Sequence, residues 1–400
     1  VLSGSQIASL QADVFGKLDT AQIIAMKRSQ FGSLELAQVA AMSSDQVAAI
    51  ESADISGLTV SQMEVLNSTQ FGAITTDQIK ALTLTQIGGL TAEQIHVMDD
   101  GQLAAIETAD MAGISANQIQ YFSTHQVANL SSAQLQGLRT VAIAAFNNGQ
   151  TKALTSEEMA ALTQSQVASI TVDNLNALSG DQISWMETID IAALTATQVS
   201  SLSTDQLQSV STSQVAAIEA RDLITMTEGQ ISSLKDELIG GMTTQQYSAL
   251  LGSQLSAFTT TQMGLIETAD LAVLSTSQLQ AFDIPQVNAL DTVQFNALLT
   301  TQVAGLSLTQ TAGLSVDLLS NMASNQVNAL TTAQFNSLDA NQIDGFTTTQ
   351  IQKLSSTLVS GMLEEQTSAL LTSQTNALTT GNIQSLRTAQ IGRASCRERV

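Results

Sequence analysis

The sequence predicts an all-α solenoid, a continuous array of very short helices with one helix to each eight-residue repeat. Three observations predict it. Cut into octads from Leu2, the chain keeps one frame to Arg393, which is 49 octads without an insertion. Inside each octad, Ser/Thr-x-x-Gln recurs at positions 2 to 5, the pattern of a helix-starting capping box. Apolar residues stand at position 6 and at the next position 1, three apart, so they are neighbours on one helical face.

Each position of the octad has a reason. Position 1 is Leu, Ile, Met, Phe or Val in all 49 octads. Position 2 is Ser, Thr, Asp or Asn in 33, which makes it the N-cap and the extended elbow, as at Thr75, Thr83 and Thr91. Positions 3 and 4 are variable and polar, so they face water. Position 5 is Gln in 36 octads and reaches back to the N-cap amide. Position 6 is apolar or Tyr in 45, the exceptions being Thr151, Thr311, Thr367 and Thr375. Position 7 faces water, and a small residue at position 8 lets another helix approach. The expected helix runs from position 3 to position 8 or the next position 1, roughly two turns.

Longer regular elements fail. Along one continuous helix eight residues advance about 800°, so the apolar stripe would wind around the axis. Along one strand positions 1 and 6 point to opposite faces. The rival architecture is a β-solenoid, favoured by abundant Ser and Thr and by a possible Gln ladder. Against it, eight of the 49 position-1 residues are β-branched and the chain holds 23 Gly, too few for a tight turn in every coil. Ala, Gln, Leu and Met favour helix. A helix this short is not stable alone, so neighbouring octads must support each other.

Composition excludes several functions. Lys+Arg number 13 against 35 Asp+Glu, a net charge of −22. No basic cluster exists to displace the counterions of a nucleic acid, so no nucleic-acid partner is expected. No run of 18 apolar residues spans a membrane. Two His and one Cys are too few for a zinc site.

Departures from the repeat are the candidate sites. Five octads carry Glu at position 2 and Asp at position 5: Glu51/Asp54, Glu107/Asp110, Glu187/Asp190, Glu219/Asp222 and Glu267/Asp270. They read as alternative helix starts, with acids favoured by the helix dipole; the functional alternative is a Ca²⁺ site or an acidic docking stripe. Calcium wants six to eight oxygens, and two carboxylates fall short. Tyr121 and His125, both haem-ligand types, stand four apart and would share a helical face, but read better as a filler and a surface residue. Met42, Met98 and Met186 read as core filler. Trp185 and Tyr121 fall at position 8, where small residues are usual, and mark a local widening or a contact patch.

Catalysis needs unlike groups in one preorganised cluster. The array repeats the same groups, its N-cap hydroxyls are engaged by backbone amides, and His96 and His125 stand at different octad positions. No catalytic, cofactor-binding or metal-binding residue is assigned, no cofactor is expected, and the chain reads as not an enzyme.

Residues 1–390 read as one uninterrupted array. Val1 starts inside the pattern, and neither end carries a polar capping repeat, which suggests a piece of a longer protein. Ile391 to Val400 breaks the pattern, is basic, and resembles the translation of a sequencing-adapter read-through. Without it the body carries 34 acids and 10 bases.

The run Leu-Thr-x-x-Gln-Ile-x-x-Leu, interspersed with Ile-Glu-Thr-Ala-Asp-Leu as at Ile266–Leu271, resembles long repetitive proteobacterial proteins that carry haem-utilisation or adhesin-like labels. The resemblance covers all the octads and transfers no ligand residue. It implies a non-enzymatic structural or adhesive scaffold of a large secreted or cell-surface protein, with protein or cell-surface partners and an extracellular location. The alternatives are a haem- or calcium-binding surface repeat protein and a cytosolic α-solenoid scaffold.

Overall fold

The computed structural model describes residues 2–388 and 390; the residues from Ile391 onward, read above as adapter-derived, lie outside that range. Among the described residues there are 47 short α-helices, one 3₁₀ helix at Asp110–Gly113 and no strand. The chain is an all-α repeat array, as the capping boxes require, and the β-solenoid is excluded. It forms two compact units, Val1–Leu202 and Ser203–Val400, while the octad frame runs through Leu202–Ser203 in the sequence without a slip.

One octad illustrates the rest. Thr75 is extended (φ −75°, ψ 160°) and caps the helix Thr76–Lys80. Its hydroxyl accepts from the Gln78 amide at 3.2 Å, and the Gln78 side-chain oxygen accepts from the Thr75 amide at 2.8 Å. Ile79 and Leu82, at positions 6 and 1, are buried, whereas Thr76, Asp77 and Lys80 are exposed. The helix ends because the Leu82 amide turns to the Ile79 carbonyl, a tightened last turn. The helices are shorter than two turns, with four to six residues each. Position 1 does not continue the helix. Met98 (φ −64°, ψ 123°) and Asp99 (φ −78°, ψ 171°) form a two-residue elbow, because the next N-cap must be reached through extended backbone.

Coils are joined by the same glutamine. Gln78 Nε2 donates to the carbonyls of Val47 at 2.9 Å and Ile50 at 2.7 Å, which lie 31 and 28 residues earlier. Gln310 repeats the pair on Leu279 and Phe282, both at 2.8 Å. The position-1 carbonyl precedes its helix and has no place in that helix's ladder, so it needs an outside donor. Helices three octads apart also pack side by side, as Thr76–Lys80 does on Asp100–Ala105 and Thr268–Val273 does on Thr292–Ala297. Within each unit a coil therefore closes between three and four octads.

Position 8 packs on position 3 of the octad three earlier, and the two exchange volume. A Cβ on Gly89 would strike Val60 Cγ1, and one on Gly313 would come within 2.7 Å of Ile284 Cδ1. At Gly113 it would stand 2.5 Å from the Leu84 carbonyl oxygen. The four position-6 threonines keep their place by a local bond. Thr151 and Thr311 donate to the carbonyls of Asn147 at 3.1 Å and Ser307 at 3.0 Å, and Thr367 and Thr375 do the same.

Two octads with Leu at position 5 recover the missing cap from the coil before. The Ser315 amide, in the octad of Leu318, donates to Asn288 Oδ1 at 2.9 Å, and Asn288 Nδ2 donates to the Gly313 carbonyl at 2.8 Å. The Ser355 amide, in the octad of Leu358, donates to Asn328 Oδ1 at 2.7 Å, with Nδ2 on the Lys353 carbonyl at 2.7 Å.

Removing such a partner leaves a partly buried amide unpaired, which costs about 1–3 kcal/mol. Asn288→Ala should lower the urea midpoint of unfolding, and Leu318→Gln added to it should restore most of the loss; a double variant no better than Asn288→Ala would refute the exchange. Gly113→Ala should destabilise, since the atom it meets is backbone. Gly72→Ala, where a Cβ meets nothing within 4 Å, should stabilise by about 0.5–1 kcal/mol. Thermal melts of the two variants give opposite signs if the packing is as described.

Candidate functional site

The structure places the singled-out residues apart from one another. Met42, Met98 and Met186 are buried at position 1, as core filler should be. Tyr121 and His125 do not share a helical face. Tyr121 lies beyond the end of the helix Ala116–Ile119, and His125 belongs to the next helix, Thr124–Ala128, with the Ser123 N-cap between them. The elbow that ends every octad separates residues that a continuous helix would align. His125 Nε2 lies 3.2 Å from Asp100 and 3.0 Å from Asn129 Nδ2. His96 is also exposed, on a different helix, Ala92–Val97. Trp185 and Tyr121 present open rings, 39% and 48% exposed. Among the described residues no three of His, Cys, Asp and Glu converge as a metal-binding group.

The Glu/Asp octads have a structural role that the sequence did not disclose. An Asp is one methylene shorter than Gln and has no N–H to donate, so it turns to a donor instead. Asp54 Oδ1 accepts from the Arg28 amide at 2.7 Å. The Leu84 amide bears on Asp110 and the Thr244 hydroxyl on Asp270, each opposing the rise of its pKa. All three partners stand at position 3, the first residue of the helix three octads earlier, where amides lack an intrahelical acceptor and negative charge is favoured. On Asp190 it is the Glu187 amide of its own octad that opposes the rise. Glu51, Glu187, Glu219 and Glu267 make no side-chain cap bond.

Burial sets the electrostatics of these acids. Desolvation raises the pKa of Asp110, Asp222 and Asp270 above the ordinary carboxylate value, with the neighbouring Glu of each octad adding to it. In Asp222 the Arg221 guanidinium opposes the rise. For Asp190, 2% exposed, desolvation pushes the pKa up to about 6. The single buried Tyr, Tyr247, is likewise raised by desolvation; its hydroxyl donates to the Ile239 carbonyl at 2.8 Å, and its ring meets Phe258 edge-on.

The surface grooves are repetitive. A groove of about 630 Å³ lies between the elbow Leu130–Ser131 and the helix start Thr155–Glu158. The same groove, at the same octad positions, measures about 580 Å³ between Ile218–Glu219 and Thr243–Gln246, and about 490 Å³ between Ile106–Glu107 and Ser131–Gln134.

The raised pKa of Asp190 fixes the sign of its pH effect. The folded state binds this proton more tightly than the unfolded chain, so its stability contribution is full below about pH 4 and is lost as pH rises through about 6. Asp190→Gln, which restores the array's usual amide, should raise the urea midpoint at pH 7. The gain should shrink as pH is lowered to about 4; a gain independent of pH would contradict the assignment.

No curated protein matches the chain. Among solved structures it is similar to one titled "Structure of APUM23-GGAAUUGACGG", at 10% identity over 99% of this chain and 92% of that chain, with a TM-score of 0.21; a likeness that weak carries no argument. The family comparison is decisive. The model described as the ALTTAQ repeat matches residues 47–84, 103–140, 127–164, 184–219, 263–300 and 319–356, together more than half of the sequence. These segments include the octad of Thr75 and Gln78 described above, and the chain belongs to the ALTTAQ repeat family.

Proposed function

We propose that the chain is a non-enzymatic structural or adhesive scaffold, part of a large bacterial secreted or cell-surface protein, which acts by presenting many near-equal faces along the repeat array. The observation that carries this reading is the recurrence of one groove at equivalent octad positions. Equivalent sites held on a common scaffold convert weak single contacts into avidity. The exposed position 4 varies because the fold is held by other positions, so surface chemistry can change there without loss of the array. The extracellular location rests on the resemblance of the repeat to long secreted and surface proteins. A helix long and apolar enough to cross a membrane is absent among the described residues.

The acidic surplus supports protein or cell-surface partners over nucleic acid. A chain of −22 repels phosphate unless it carries a basic patch. Two measurements test the proposal. Mild protease treatment of intact producing cells should remove the protein without lysis, and full protection would place it inside the cell and overturn the surface reading. Binding of the purified array to its partner surface should fall in steps as blocks of octads are removed; loss of all binding on one point substitution would point to a single site instead. RNA and DNA mobility-shift assays at physiological salt should show no complex.

A further inference from the structure

We propose that Glu158 is an acid-operated latch, whose proton takes the place of the amide hydrogens that glutamine supplies elsewhere in the array. Glu158 is the only Glu among the 49 position-5 residues. It is 2% exposed. One carboxyl oxygen occupies the capping-box position, accepting from the Thr155 amide at 2.7 Å. The other, Oε1, has no hydrogen-bond partner. In the adjoining octads that place belongs to Nε2. Gln150 donates there to Ile119 and Phe122 at 2.6 and 2.7 Å, and Gln166 to Leu135 and Leu138 at 2.8 and 2.9 Å. By the same register of 31 and 28 residues, Glu158 answers to the carbonyls of Val127 and Leu130, two acceptors.

Two carbonyls and a carboxylate oxygen have no hydrogen among them. A proton on Oε1 supplies it, and a carboxylic acid then has the shape and the donor of the glutamine amide. The proton comes from solvent along the groove of about 630 Å³ that Glu158 lines with Leu130 and Ser131. Without it the carboxylate faces acceptors in a desolvated position, which disfavours the closed coil. Desolvation raises the pKa of this group, against the opposing bonds from Thr155.

The surrounding charges do not replace the proton. Glu157, on the same helix, is exposed and acidic, and adds to the rise. The helix packed alongside, Ser132–Gly137, carries no ionisable side chain. On Thr124–Ala128, His125 pairs with Asp100. Lys152 lies exposed at the end of Asn148–Ala153, and Asp181 stands in the first turn of Gly180–Ser184. Glu187 and Asp190 stand at the start of Thr188–Ile191, 32 residues beyond Glu158 for the latter, and add only negative charge.

The test compares Glu158→Gln with the unchanged protein across pH 4 to 8, in both cases with Asp190→Gln present so that the second acid is silent. Hydrogen exchange of the helix Ser156–Ala161 and the urea midpoint are read together. At pH 8 the Gln variant should be better protected and more stable. The ratio of local opening between the two proteins should fall by up to about tenfold per pH unit through the titration and vanish by about pH 4. Glu157→Gln should leave the profile unchanged. A difference that does not vary with pH means a packing role only and overturns the latch, as does no difference at any pH.

Discussion

Everything in this fold depends on the carboxamide of the position-5 glutamine. Its oxygen closes the capping box within its own octad, and its nitrogen donates to two carbonyls in the coil before, as Gln78 does to Val47 and Ile50. One side chain thus settles the beginning of one helix, the end of a second and the elbow of a third. The helices are far too short to persist alone. Each buries only two apolar side chains per octad, so the elbows must be satisfied without water. A neutral group with both donor and acceptor is the one chemistry that does this at the centre of the wall without burying charge.

The departures are intelligible against that requirement, because most of them lose one or both halves of the amide. Aspartate loses the donor and reach, and finds a helix-start amide three octads back, as Asp54 finds Arg28. Leucine loses both halves, and in two octads Asn288 and Asn328 supply the acceptor from the preceding coil. Gln326 carries the reverse case. Its N-cap amide, Ala323, is taken by Asn296 Oδ1 at 2.9 Å, and Gln326 Oε1 is left without a partner. Threonine at position 6 serves itself by bonding four residues back. Each repair stays within one coil of the change, as expected where every octad touches only near neighbours.

Much of this was legible in the sequence, and the reason is that the local rules are strict. The N-caps at Thr75, Thr83 and Thr91, the buried positions 1 and 6 and the exposed position 4 all follow from an eight-residue pattern that admits one bend, whereas positions 3 and 7 are exposed in some octads and half-buried in others. The inter-coil bonds were not legible, because a capping box accepts Glu as readily as Gln and explains only half of the amide. A signal was present: position 5 holds Gln 36 times and Glu once, a bias that capping does not require and donation does. The separation of Tyr121 from His125 was missed by treating four residues as one helical turn across an elbow. The Asn288 and Asn328 bonds span 27 residues, and no local pattern reports a partner at that distance.

The same division of labour bears on what the array can evolve to do. Residues that hold the fold are mainly at positions 1, 2, 5 and 6, joined by Asn288 and Asn328 at position 7, and they use most of their polar groups on one another. The hydroxyl of an N-cap such as Thr75 and the amide of its Gln78 are engaged, so neither is available as a nucleophile or a ligand. What remains for function is the outer positions, whose side chains project from helices of four to six residues and are not locked by a second layer. On the proposed scaffold reading, such side chains serve contacts whose strength comes from number. The large exposed groups that do occur, such as Trp185, Tyr121 and Val293, stand where position 3, 4 or 8 departs from its usual small or polar residue, and the fold tolerates them because nothing in the glutamine bonding passes through those positions.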